Sequence, residues 1–258
     1  MNVDTTEELP TVLSFCSGYG GIERGLDLAG FKHRVIAFSE IEAYAIANLA
    51  NKMEAGKLLP APIWSNLKTL PVQPFRDKVD LITGGYPCQP FSAAGQRKGT
   101  DDPRHLWPYI RGHIESIRPV RCFFENVEGH ISLGLREVIS DLESLGYKTT
   151  WGIFSAREVG APHQRKRVYI LADSSGKGLQ RCGITRNISG KESQPDDQFA
   201  PRCNSAQIGE WEPEPNFCRV VDGIADRVDR IRMLGNGIVP QTAAKAWSVL
   251  SKRMEITQ

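Results

Sequence analysis

Short apolar runs alternate with amphipathic stretches along most of the chain. Residues 11–15, 34–39, 79–83, 121–124, 149–155 and 167–172 read as strands. Helical spacing begins near Ile22 and recurs at 43–53, 106–117, 133–145 and 242–254. Pro119 and Gly146 stand just behind two of these helices, where stop signals belong. Alternation of this kind predicts an α/β fold with a mostly parallel sheet and helices on both faces. The pattern stops after Ala172. Residues 173–215 are rich in Ser, Gly, Asn, Gln, Asp and Pro, and read as a long insertion, a small irregular domain or a mobile segment. Regularity returns at Phe217, and no internal repeat is visible.

At 258 residues the chain can bury a large core, as one domain or as one domain with a small appendage. Its composition, 40% hydrophobic and 24% charged, is that of a soluble globular protein, and no apolar run approaches the length of a membrane span. Asp4, Glu7 and Glu8 near the N-terminus do not suit a signal peptide. None of the six cysteines forms a Cys-x-x-Cys pair, which argues against a zinc site and a disulfide framework and for a reducing cytoplasm. The net charge of +2 announces no nucleic-acid partner. Locally, however, Arg157, Arg165, Lys166, Arg167, Lys177, Arg181, Arg186 and Lys191 are opposed only by Glu158 and Asp173. Such a stretch can track phosphates or be a solvated face.

Three places carry candidate chemistry. Gly18-x-Gly20-Gly21 between the first strand and helix suits a phosphate or nucleoside, because glycines admit a ligand to the backbone and the helix start offers N–H donors. Glu23 stands where a dinucleotide fingerprint needs Gly or Ala, which disfavours a pyrophosphate cofactor. Glu40, ending the second strand, suits ribose hydroxyls or, alternatively, the start of the next helix. Turn and acid together favour S-adenosylmethionine over a nicotinamide dinucleotide.

The run Gly84-Gly85-Tyr86-Pro87-Cys88-Gln89-Pro90-Phe91-Ser92 holds one cysteine at the C-terminal end of a strand, where open α/β sheets keep their reaction sites. Cys88 is either a nucleophile or a buried structural thiol. Glu125 ends another strand behind Phe123 and Phe124, whose apolar bulk should raise its pKa and suit it to proton donation; capping the following helix is the other reading. In His163-Gln164-Arg165-Lys166-Arg167 an extended backbone would point Arg165 and Arg167 to one side, suited to a phosphate, a base carbonyl or the carboxylate, or would leave them as an exposed basic approach to the strand.

In this order the motifs resemble the DNA (cytosine-5)-methyltransferase family. The resemblance runs from about Leu13 to Trp247, apart from the irregular insertion. It rests on SFCSGYGG, FSEIEAYA, GGYPCQPFSAAG, Glu125-Asn126-Val127, HQRKR and the closing LGNGIVPQ. It implies a Rossmann-like S-adenosylmethionine-dependent methyltransferase fold, with a catalytic domain at 11–172 and 219–254 and a short target-recognition region at 173–218.

The resemblance also implies a reaction and its residues. Cys88 would attack C6 of a cytosine flipped out of duplex DNA. Glu125 would hold the base, Arg165 would support the base and Cys88, and Arg167 would position Glu125 or the backbone. Cys16, Ser17, Gly18, Tyr19, Gly20 and Gly21 would line S-adenosylmethionine, with Glu40 on the ribose, Ile41 against the adenine and Asn66 and Leu67 near its amino group. Pro87 would belong to the same pocket and, with Gln89 and Ser92, shape the catalytic loop. Asn236 and Gly237 would close the pocket, bringing the last helix back beside the first strand. Gln89, Ser92, Asn126 and His163 would face the substrate. Cys16, Ser14, Asn66 and His163 depart from the family's usual Phe, Asp, Asp and Gln. The expected partner is double-stranded DNA, with a restriction-modification or phage setting in a bacterial cytoplasm, no metal, no membrane, and nothing beyond a monomer. A cognate endonuclease would not be needed for activity. The alternatives are tRNA as substrate, or a catalytically silent relative that binds DNA or the cofactor.

Overall fold

The computed structural model of the chain describes residues 9–87, 106–174 and 237–256, all within one compact unit; a second unit, 180–228, lies outside the described residues. The elements run β1 (Thr11–Phe15), α1 (Gly21–Leu28), β2 (Arg34–Ser39), α2 (Ala43–Glu54), β3 (Ile63–Trp64), β4 (Leu81–Gly84), α3 (Trp107–Ile117), β5 (Arg121–Val127), α4 (His130–Leu133), α5 (Leu135–Ser144), β6 (Lys148–Ser155), β7 (Lys166–Asp173) and α6 (Pro240–Ile256). The seven strands form one sheet in the order β3-β2-β1-β4-β5-β7-β6. Pairing is parallel from β3 to β5, whereas β7 runs antiparallel to both β5 and β6. The fold is therefore the expected mostly parallel α/β sheet, reversed at one edge where a short connection joins neighbouring strands.

Alternation of side chains divides the core into two layers. Leu13, Ile82, Cys122 and Ala172 face α3 and α5, packing with Trp107, Ile110, Ile114, Val138 and Leu142. Val12, Leu81, Phe123 and Leu171 face the opposite way, with Ile22 and Leu26 of α1 and Ala243, Trp247 and Leu250 of α6. Strands buried on both faces must be apolar nearly throughout, which is why β1 and β4 read as short hydrophobic runs. A fully buried Leu or Phe in these layers contributes about 1.5–3 kcal/mol.

Four elements differ from the sequence expectation. The periodic stretch at 133–145 is interrupted at Gly134 into α4 and α5. β5 continues three residues past Phe124, so Glu125 and Asn126 are strand residues held by ladder bonds. β3 is only two residues long and offers no period to read. α6 packs chiefly on α1, β6 and β7, sharing one core layer with Val12 of β1 rather than lying alongside that strand. Among the described residues, no helix is long and apolar enough to cross a membrane, and no group of three His, Cys, Asp or Glu could hold a metal ion.

Candidate functional site

The parallel strands β1, β2, β4 and β5 all end on one rim, so every βα connection delivers its residues there. After Phe15 the backbone turns sharply. Gly18 and Gly20 have φ of 53° and 82°, a region glycine enters without penalty, and Gly20 is the N-cap of α1. Cys16 is also left-handed, at φ 48°. Ser17 ties the turn down through bonds to Ser14 and to the carbonyl of Ser39.

Glu40 links this turn to the next one. Its Oε2 accepts the Gly18 N–H at 2.7 Å, and its Oε1 accepts the N–H groups of Ile41 and Glu42 at 2.8 Å each. It thus steadies the approach to α2 and, in the same place, presents a carboxylate beside the glycine turn. Ile41 next to it is 71% exposed, an apolar side chain standing free at the rim. Burial and the Glu40 charge push the Cys16 thiol up to about 12, so Cys16 is no nucleophile at neutral pH. Asn66 caps the 3-10 turn Leu67–Thr69 by accepting the Lys68 N–H, and Leu67 is buried with its carbonyl bonded to His113.

Tyr19 reaches across the rim. Its hydroxyl donates to the carbonyl of Ile238, while Nζ of Lys52 donates to the Tyr19 carbonyl at 2.6 Å and stands 5.3 Å over the Tyr19 ring. Below the turn, Glu23 is buried and accepts the Thr83 hydroxyl at 2.6 Å. The residue that breaks the dinucleotide fingerprint is thus a fixed internal acid joining α1 to β4.

The second half of the rim lies where β4 and β5 pair in parallel, Gly84 opposite Phe124. A Cβ on Gly85 would lie 3.3 Å from Oε2 of Glu125 and 2.8 Å from Cδ1 of Ile238, so the chain passes close to the acid here and a larger residue would crowd both side chains. Glu125 is 7% exposed. Burial raises its carboxyl to about 7, against the opposing pull of Arg167 and Arg165. Nε of Arg167 lies 2.9 Å from Oε1 of Glu125. Arg165 stands just before β7 with φ 32°, and its guanidinium donates to the carbonyl of Gly237. Both arginines therefore act on Glu125, but the expected alternation along an extended segment is not the reason: a left-handed Arg165 swings toward residue 237 while Arg167 is carried by β7.

Asn126 is buried, and both ends of its side chain are engaged within the protein: Nδ2 donates to the Tyr86 carbonyl at 3.1 Å and Oδ1 accepts the Val127 N–H. Pro87 is exposed at the end of the described segment, and His163 is exposed ahead of β7. Cys88, Gln89, Ser92 and Asn236 lie outside the described residues, as does the proposed recognition region beyond Ser174. The sequence assigns no role to Lys52, His130 or Tyr169, and none to Tyr86 or Ile238 beyond their place in the quoted motifs. Tyr169 sits directly opposite Glu125 in the β5–β7 register, fully buried and stacked on Phe123. A tyrosine two residues past Arg167 in a strand was the available signal.

Comparison with known proteins bears on this geometry. A family model described as "C-5 cytosine-specific DNA methylase" matches residues 11–212. The type II methyltransferase M.NaeI of Lentzea aerocolonigenes is 31% identical over 166 residues, covering 62% of this chain and 39% of the relative. M.NgoMIV of Neisseria gonorrhoeae is 33% identical over 170 residues, covering 63% and 51%. The matches thus span about two fifths to a half of the length of these relatives. The crystal structure of the S. pombe Dnmt2 methyltransferase superposes with a TM-score of 0.54 at 27% identity, covering 69% of this chain and 57% of that one.

Proposed function

The chain belongs to the C-5 cytosine-specific DNA methylase family, and from that premise we propose that it methylates C5 of a cytosine flipped out of duplex DNA, through a covalent bond from Cys88 to C6. The observation that carries this reading is the buried Glu125, held by Arg167 against the backbone of Gly85, three residues before that cysteine.

Cytosine C5 is a poor nucleophile until C6 is bonded. The Cys88 thiolate adds to C6, and the electron pair moves toward N3. A carboxyl whose burial keeps it protonated up to about pH 7 can supply the proton there, so that no full negative charge builds on the ring. Arg167 fixes the direction of that carboxyl, and Arg165, tied to Gly237, forms the wall beside it. Flipping costs about a few kcal/mol, which contacts in this pocket must offset. Once C5 carries the methyl group, N3 returns its proton to the Glu125 carboxylate, water takes the C5 proton, and the C5–C6 double bond re-forms as the C6–S bond breaks, releasing the product and the thiolate.

The neighbouring turn fits S-adenosylmethionine. Glycines at 18 and 20 leave the backbone open, Glu40 presents a carboxylate suited to ribose hydroxyls, and exposed Ile41 offers an apolar face for the adenine. When bound there, this cofactor supplies the electrophilic methyl group that C5 receives. The relatives named as type II methyltransferases favour a restriction-modification role. The likeness to the S. pombe Dnmt2 methyltransferase favours a second reading, a cytosine in tRNA.

Labelled methyl transfer, run in parallel on duplex DNA and on tRNA, tests both. Incorporation into DNA that disappears with Cys88→Ser is the expected result. Incorporation into tRNA alone selects the second reading, and turnover that survives Cys88→Ser overturns the covalent mechanism.

A further inference from the structure

The backbone that leads into the Pro87-Cys88 step is anchored from below by a polar pair. The Tyr86 hydroxyl and Nε2 of His130 lie 3.1 Å apart, in a place where Tyr86 is 3% and His130 0% exposed. The Tyr86 ring is enclosed by Trp107, Phe124 and His130, with ring centroids 5.6, 5.8 and 5.7 Å away. Its carbonyl is held at the same time by the Asn126 amide at 3.1 Å. His130 has its own seat: a Cβ on Gly134 would come within 2.9 Å of its Cε1, so the break between α4 and α5 makes room for the imidazole. Trp107, which closes the cage, is itself fixed by its indole N–H to Asp141 at 2.8 Å.

A purely apolar ring would fill this cage as well, so packing alone does not require the hydroxyl or the imidazole. Their cost is real, since polar groups removed from water must find hydrogen-bond partners. What the pair adds is direction. A ring in a slot can slide or rotate about its axis, whereas a hydrogen bond at its tip, together with one at its carbonyl, fixes Tyr86 at two points. Nε2 either accepts from the hydroxyl or donates to it, according to the tautomer.

We propose that Tyr86 and His130 act together as positioning residues, their hydrogen bond fixing the Tyr86-Pro87 backbone, which leads into Cys88, relative to Glu125 on the adjoining strand. The inference rests on Cys88 being the nucleophile. Burial holds His130 down at about 4, so the imidazole stays neutral and the bond persists throughout the pH range in which Glu125 titrates. Asn126 and Glu125 are consecutive in β5, so one strand carries both the acid and the amide that grips Tyr86. Reactive thiol geometry matters because small misplacements at a reacting atom cost rate steeply.

The test is a double-mutant cycle on the full chain, read as the rate of covalent adduct formation with duplex DNA, and separately with tRNA, each containing 5-fluorocytosine, in the presence of S-adenosylmethionine. Tyr86→Phe removes only the hydroxyl, and His130→Leu removes the ring nitrogen. Each should slow adduct formation about fivefold, the scale of one lost buried hydrogen bond, with the KM for nucleic acid unchanged. The double variant should be no slower than either single one. His130→Gln, which places an amide nitrogen near the Nε2 position, should recover most of the rate and serves if His130→Leu does not fold. Unchanged rates in the single variants, losses that multiply in the double variant, or a loss confined to melting temperature would overturn the inference. If the unaltered chain forms no adduct with either nucleic acid, the covalent reading of Cys88 fails first, and the pair loses its purpose with it.

Discussion

Arg167 meets Glu125 across the antiparallel seam between β5 and β7, with Nε 2.9 Å from Oε1. The pair is not in direct register; Tyr169 is opposite Glu125, and Arg167, opposite Val127, reaches back two residues along the ladder. The acid is buried enough for its carboxyl to rise to about 7, and the guanidinium keeps it from rising further. The two residues therefore set opposite limits on one proton.

This predicts a pH signature. If protonated Glu125 stabilises the ring, the single-turnover rate falls as pH rises through about 7. Arg167→Gln removes a group that lowers the carboxyl, so the alkaline limb should move to higher pH while the plateau drops. A pH–rate profile that keeps its limb in place would show that another group controls it.

The same carboxyl links stability to pH. Its folded value, about 7, is above the ordinary 4.5, so the native chain holds the proton more tightly than the unfolded chain. That stabilisation is full below about 4.5 and is lost as pH rises through about 7. It amounts to about 3 kcal/mol at most, from the size of the difference. Glu125→Gln cannot titrate, so its melting temperature relative to the unaltered chain should improve between pH 5 and pH 8. Parallel melting curves across that range check it; a constant offset would contradict the buried, proton-holding acid.

Glu40 predicts a binding phenotype. Its carboxylate accepts three backbone N–H groups around the glycine turn and the start of α2. Glu40→Gln keeps the shape, but loses the charge and part of the acceptor capacity. A charge-assisted bond is worth about 1.5–3 kcal/mol, so the Kd for S-adenosylmethionine should rise about ten- to a hundredfold. Calorimetric titration measures this directly, and an unchanged Kd would leave Glu40 only its capping role.

How much of this was legible in the sequence depends on the range of the interactions involved. β1 and β2 were read with their observed ends, because a buried strand is a short apolar run, and the glycine turn begins soon after Phe15 while Glu40 follows Ser39 directly. The raised carboxyl of Glu125 was legible because two phenylalanines before an acid signal its desolvation locally. The reversal of β7 could not be read, since Lys166–Asp173 is as apolar as a parallel strand would be; only pairing with both neighbours decides its direction. Tyr86 and His130 stayed hidden because 44 residues separate them and each alone is ordinary. Strand alternation predicts Arg165 and Arg167 on one side, a rule that the left-handed Arg165 does not obey.

Gly25 predicts a loss of stability without chemistry. α1 crosses α6 so closely that a Cβ at this position would stand 2.6 Å from the Ala243 Cβ and 2.8 Å from the Pro240 carbonyl oxygen. A backbone atom cannot step aside as a side-chain tip can. Gly25→Ala should therefore destabilise by about 1–3 kcal/mol despite alanine's better helix propensity. Chemical denaturation measures the change, and a more stable variant would mean that the two helices are free to separate.

Glu23 provides the last prediction. Its carboxylate is 4% exposed and accepts the Thr83 hydroxyl at 2.6 Å, directly beneath the turn expected to hold the cofactor. Thr83→Val would leave a buried carboxylate without its hydroxyl donor, a loss of about 1–3 kcal/mol. Glu23→Ala removes the acid as well, and Thr83 then keeps a buried hydroxyl lacking this acceptor. A Glu23→Ala/Thr83→Val chain removes both members of the bond, so its loss should be smaller than the sum of the two single losses. Equilibrium denaturation of the three variants measures this coupling. Losses that simply add would mean that the short contact between α1 and β4 carries no stability of its own, and that the turn above it is held by Ser17 and Glu40 instead.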